Sequence, residues 1–268
     1  MISNVGGYLG GVGFDKSKAG VAEVASAKDA AIIPVKDNPA GADRGGSVSI
    51  STLAGQLAYS ASDSAEKNKS LGHAELASKA ARILDKILYE RTPANVARAA
   101  SEVPNTTDPV LLKRAQLATA FIDGPRKDNQ GSEPNPFAGL SREQLSNIAY
   151  DESGTFTTNE RRAAQYESAR LEQEWRVKVV AKMTQDYNST GNLTDFFQEV
   201  LDHFKELPAM EQAQYPENYA SDLTEKIKLN FNYRTGHPDA KRADVESGII
   251  PQIIASVLPS TPDIFNPQ

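Results

Sequence analysis

Two segments of this 268-residue chain space their oxygen-bearing side chains in a way that suits a hard cation. The first runs from Ala149 to Glu160 and carries Asp151, Ser153, Thr155, Thr157 and Glu160. The second runs from Asp186 to Phe197 and carries Asp186, Asn188, Thr190, Asn192 and Thr194. In each, oxygen donors recur at every second position. A glycine, Gly154 or Gly191, stands sixth, where a chain wrapping an ion must turn sharply. An apolar residue, Phe156 or Leu193, stands eighth. Calcium takes roughly six to eight oxygens from carboxylates, hydroxyls, amides and backbone carbonyls, and these are the groups such a spacing brings together.

Both segments resemble the loop of EF-hand proteins, and both depart from it. Ala149 stands where the family has its first Asp, and Phe197 where it has the bidentate Glu. The two loops start 37 residues apart, close to the spacing of an EF-hand pair. The resemblance implies a weak calcium site and no other cofactor. It favours the first loop, where Glu160 offers two oxygens and Asp151 a third. A plain helix–loop–helix corner makes much the same demands: glycine after the first helix, an apolar staple, a Thr cap and Glu three residues on. A helix corner, a weak metal site and a relic that kept its shape without the metal are therefore all open readings. Nothing breaks the helical pattern between Glu160 and Gln185. A helix of that length spans about 40 Å and would hold the loops at opposite ends, whereas EF-hands work in contact.

Other chemistry is sparse. His73, His203 and His237 have no His or carboxylate at metal-ligand spacing and are expected at surfaces or caps. Asp202 beside His203 points elsewhere on a helix. No nucleophile elbow, Walker loop or dinucleotide fingerprint occurs. The absence of cysteine excludes disulfides, thiolate metal sites and a Cys nucleophile. Net charge is −6, with Lys and Arg scattered among the acids, which argues against nucleic acid or an anionic membrane surface as partner. The pair Arg161–Arg162 is expected on a solvated helix face.

The elements that would position these residues are helical, and the expected fold class is all-α, an irregular multi-helix domain with a flexible Gly-rich N-terminal arm. Residues 1–47, dense in glycine, form that arm. Residues 48–70 read as a linker or weak helix, 71–258 as the helical domain and 259–268 as a C-terminal tail. Leu76, Ala80, Ile83, Leu84, Ile87 and Leu88 recur at helical steps and mark one buried stripe. Thr92-Pro93 and Asp108-Pro109 are helix starts, with Gly124 ending the second helix. The stretch from Gly124 to Gly139 reads as a loop. Ser141 with Gln144 and Thr157 with Glu160 are capping boxes. The second opens a long helix to about Tyr187, with Leu171, Trp175, Val179 and Met183 on one inward stripe. Thr194 caps a further helix that Pro208 stops. Pro216 starts another, carrying Phe231 and closed by Gly236. The apolar group from Ile249 to Leu258 docks on the core.

Function follows less directly. The leading expectation is a non-enzymatic helical interaction protein of bacterial type with a protein partner. An EF-hand-like metal-binding or metal-shaped regulatory module is a second class, and an enzyme with an unrecognised carboxylate site is a third. No apolar run approaches the roughly 18 residues of a transmembrane helix, and the N-terminus lacks the features of a Sec signal. The first twelve residues contain no acid and resemble the N-termini of type III or flagellar export substrates. Residues Val48 to Ala54 resemble the helix entry of flagellar anti-sigma factors. The chain is expected in the cytoplasm or exported without a Sec signal peptide.

Overall fold

A computed structural model describes residues 53–124, 126–127, 130–131, 133–234 and 249–258. The expected arm at 1–47 and tail at 259–268 lie outside the described residues, as does His237. The described chain is all-α. Its helices are α1 (Leu53–Asn68), α2 (His73–Leu84), α3 (Pro93–Ser101), α4 (Pro109–Asp123), α5 (Arg142–Ala149), α6 (Thr158–Ser189), α7 (Thr194–Glu206), α8 (Ala209–Gln212), α9 (Tyr219–Leu229) and α10 (Ile249–Val257). A π turn, Asp85–Tyr89, continues α2. Two two-residue strands, Arg126–Lys127 and Gln130–Gly131, pair antiparallel within the Gly124–Gly139 segment.

Local chemistry sets most helix starts. Thr92 accepts from Asn95 N, and Asp108 from Val110 N, each just ahead of a proline whose missing N–H would have had no partner. Ser141 with Gln144 and Thr157 with Glu160 form reciprocal capping boxes. Two ends differ from expectation. Helix α7 begins at Thr194 itself, and its first N–H is met by Asn192 Oδ1 at 2.7 Å, so Asn192 serves where Thr194 was expected to cap. Helix α9 runs only from Tyr219 to Leu229 and ends at Asn230, whose φ of 44° turns the chain out of the helix. Phe231 therefore lies beyond the helix, which Asn230 closes, and Gly236, expected to close it, lies outside the described residues. Residues 48–70 contain the sixteen-residue helix α1, which buries Gln56, Leu57 and Ser60.

The side chains bury in two cores strung along α6. The first gathers Ala80, Ile83, Leu84, Ile87 and Leu88 of the expected stripe with Ile122, Phe137, Leu145, Ile148, Phe156, Ala163, Ala164 and Tyr166. The second gathers Val179 and Met183 of α6 with Leu193, Phe196, Phe197, Val200, Leu201, Tyr219, Leu223, Ile253, Val257 and Leu258. Helix α10 is thus docked on the second core, and Tyr219 Oη donates to Val257 O. Between the cores the buried face of α6 turns polar, at Glu167, Ser168 and Glu172. Trp175 was expected in the core. It is only partly buried at the edge of the second one and stacks on the His203 ring with centroids 3.6 Å apart.

Three helix C-termini are closed by arginine. A helix end leaves its last carbonyls without partners and carries partial negative charge, so a guanidinium satisfies both. Arg161 Nε donates to Ala149 O at the end of α5, and Arg162 Nε donates to Ile87 O in the π turn. Arg234 Nη1 donates to Asn188 O at 2.6 Å, near the end of α6. The expectation of a solvated face for Arg161–Arg162 is overturned: Arg162 is 1% exposed, and both side chains are bound to carbonyls.

Candidate functional site

The first calcium-loop-like segment is a tight, internally satisfied corner. Asp151 is 2% exposed and accepts at both oxygens. Its Oδ1 takes Ser60 Oγ at 2.8 Å and Ser153 N at 3.2 Å, and its Oδ2 takes Phe156 N at 3.3 Å. Ser153 Oγ lies 2.7 Å from Thr155 Oγ1. Gly154, at φ 80°, makes the turn. Glu160 is fully buried, and both of its oxygens are engaged. Oε2 accepts from Thr157 N at 2.9 Å and Thr157 Oγ1 at 3.0 Å. Oε1 meets Arg114 Nε at 2.7 Å and Nη2 at 2.6 Å. The guanidinium of Arg114 also donates to Gln56 Oε1 and lies over the rings of Phe137 and Phe156. A cation from α4 therefore sits at the carboxylate that the EF-hand resemblance assigns to calcium.

The second segment is laid out differently. Helix α6 continues through Ser189, so Asp186 and Asn188 stand on the helix and only Thr190, Asn192 and Thr194 follow it. Thr190 Oγ1 donates to Asp186 O at 3.0 Å, and Gly191 adopts φ 77°. The residues after α9 fold back onto this turn. Tyr233 N donates to Gly191 O at 2.7 Å and Asn232 Nδ2 to Thr190 O at 2.9 Å. Asn230 Oδ1 accepts from both Asn192 Nδ2 and Thr194 Oγ1. With Arg234 on the Asn188 carbonyl, this corner too is closed by a guanidinium. The Asp186 Oδ2 atom is buried and has no hydrogen-bond partner. Among the described residues, no three His, Asp or Glu side chains are gathered as a metal cluster.

The densest charge chemistry lies between the two cores, where sequence reading placed nothing. Arg142 of α5 bridges two buried carboxylates, Glu211 Oε2 at 2.6 Å and Glu172 Oε2 at 3.1 Å. Glu172 also pairs with Arg176 at 2.9 Å and with His203 Nε2 at 2.9 Å. Ser168 Oγ reaches Glu211 Oε1 at 3.4 Å. His203, expected at a surface or cap, is instead held between the Glu172 carboxylate and the Trp175 ring. Burial alone would push the Glu172 carboxyl up, but His203, Arg142 and Arg176 together hold it down to about 2. Glu211 goes the other way. Burial outweighs its Arg142 partner and lifts it above the ordinary carboxylate range. Burial also raises the Tyr150 and Tyr215 phenols, Tyr215 to about 12. These groups come from α5, α6, α7 and α8, far apart in the chain, and only the hydrophobic periodicity of α6 hinted at the junction, by its lapse at Glu167, Ser168 and Glu172.

Among the described residues no helix is long and apolar enough to cross a membrane. Comparison of the chain with protein-family models, with curated proteins and with solved structures finds no match.

Proposed function

We propose that this chain acts by binding a protein partner, as a helical interaction protein, and that its two calcium-loop-like corners are structural joints. One observation carries the reading: among the described residues the five buried carboxylates, Asp151, Glu160, Glu167, Glu172 and Glu211, are all engaged by donors of the protein itself. A carboxylate that works on a substrate or a metal needs an open side. These are spent on caps and on the ion pairs that tie helices together. The partner-binding region of this reading includes residues 1–47, which lie outside the described residues. The reading fits a cytoplasmic protein and an exported one alike.

The test is capture by cross-linking from the native source, with the full chain and with a chain lacking residues 1–47. A defined partner held by the full chain and lost with the deletion, at unchanged thermal midpoint, supports the reading. Failure of the full chain to hold any partner would count against it. A second reading, a weak calcium site, has one observation in its favour, the buried and unpartnered Asp186 Oδ2 at the second corner. It requires a calcium-induced rise in thermal midpoint that Asp186→Asn removes.

A further inference from the structure

A small pocket of about 150 Å³ opens where the π turn, α3 and the start of α6 meet. Four cations line it, Lys86, Arg98, Arg161 and Arg162, against two carboxylates, Glu90 and Glu102, which leaves a surplus of two positive charges. Among the described residues the arginine ion pairs belong to Arg82, Arg91, Arg114, Arg142, Arg170 and Arg176. The pocket arginines make none. Arg161 donates to the Ala149 carbonyl, and Arg162 to the Ile87 carbonyl and Asn159 Oδ1. These neutral acceptors satisfy single N–H groups without an ion pair, and the carboxylates of Asp151, Glu152 and Glu102 near Arg161, and of Asp123 and Glu102 near Arg162, offset the charge only in part. A buried cation without a direct ion pair is costly, and a bound anion is one way to relieve it. Burial accordingly lowers both arginines from the ordinary guanidinium range.

We propose that this pocket is an oxyanion site whose ligand is a phosphoryl group carrying two negative charges. The surplus of two positive charges among the lining residues matches a dianion. The volume is several times the roughly 30 Å³ that a water occupies in the liquid, and well below the roughly 300–1,000 Å³ of sites for drug-sized ligands. It suits a phosphate group with a few waters. Guanidinium forks bind phosphate oxygens in pairs, and Arg98 and Lys86, both exposed at the rim, add charge on entry. The site is built from side chains. The leading N–H and hydroxyl of α6 at Thr158 are already taken by Glu102, at 2.6 and 2.9 Å, and are not counted. This proposal is independent of the partner-binding reading above.

Titration calorimetry on the full chain, at low ionic strength and pH 7.5, tests it with three probes: inorganic phosphate, glycerol phosphate and acetate. Saturable binding of a phosphate probe is expected, with acetate at least about tenfold weaker. The paired exposed substitutions Lys86→Gln and Arg98→Gln leave the packed interior alone and should weaken binding by about tenfold together. Arg161→Gln should weaken it further. Tighter binding of glycerol phosphate would mark a phosphate ester as the source, and tighter binding of inorganic phosphate would mark the free ion; either supports the site. The proposal is overturned if no saturable binding occurs below about 50 mM. It is also overturned if acetate binds as well as phosphate, or if the Lys86→Gln, Arg98→Gln protein binds unchanged.

Discussion

Replacing Glu172 by Gln keeps its volume and removes one charge from the junction between the two cores. Glu172 is 4% exposed and is shared by Arg142, Arg176 and His203. Its carboxyl is held down to about 2 in the folded chain. A depressed carboxylate pKa stabilises the fold above the unfolded value and loses that contribution as pH falls toward the folded one. The full contribution is on the order of 3 kcal/mol at pH 7. Glu211 offsets part of it. Its pKa is raised, so its ionisation costs stability at neutral pH, and that cost eases once the neighbouring Glu172 charge is gone. The net loss expected for Glu172→Gln is therefore about 2–3 kcal/mol at pH 7. Urea unfolding of the two proteins from pH 7 to pH 3 measures it. The gap should stay nearly constant down to about pH 4.5 and shrink by roughly half at pH 3. A gap below about 0.5 kcal/mol at pH 7, or one that does not change with pH, would show that Glu172 is not the charged centre of the junction.

Four further substitutions probe the corners and the stack. Glu160→Gln preserves the capping box, which from sequence alone suggests little effect. Arg114 would then be buried opposite a neutral group, so a loss of about 3 kcal/mol in urea unfolding is expected without any metal present. Gly191→Ala and Gly154→Ala both force a positive φ on alanine. Only at Gly191 would the new methyl strike neighbours, Asn232 Oδ1 and, at 2.9 Å, Arg234 Cβ. Thermal unfolding should show about 1 kcal/mol lost at Gly154 and at least about twice that at Gly191. Trp175→Ala should cost about 1–3 kcal/mol, less than a fully buried tryptophan, because the ring is partly exposed and rests on His203. Native indole emission should fall between the buried and water-exposed limits.

The helical fold was legible because its signals are local. Thr92-Pro93, Asp108-Pro109, Ser141 with Gln144 and Thr157 with Glu160 each fix a helix start within a few residues, and the Leu76–Leu88 stripe marks a core face. What escaped depends on distant partners. Nothing near Arg162 in the chain says that its guanidinium will meet the Ile87 carbonyl 75 residues earlier. Nor does anything near Glu160 point to Arg114, or near His203 to Glu172. Phe137 lies in a proline-rich loop and is fully buried, because the Asn135 side chain and the Ala163 carbonyl pin that loop to α6. Charged residues were read as surface because single charges normally are. In this chain several are interior because each has a partner from another helix. The calcium-like pattern was visible in sequence for a physical reason: a helix corner and an ion loop both need a glycine turn and oxygen acceptors for free N–H groups. Only the geometry shows that a guanidinium takes the Glu160 carboxylate at the first corner and a backbone carbonyl, Asn188 O, at the second.

The central claim is that these corners are closed from within by protein cations. Calcium titration calorimetry on the full chain in chelator-treated buffer tests it most directly. The Arg114–Glu160 pair and the Arg234 contact at Asn188 require that no calcium binding tighter than about 10⁻⁴ M be found. Sub-micromolar calcium affinity in the unaltered protein, lost on Glu160→Gln or Asp186→Asn, would contradict it and make calcium sensing the function to pursue.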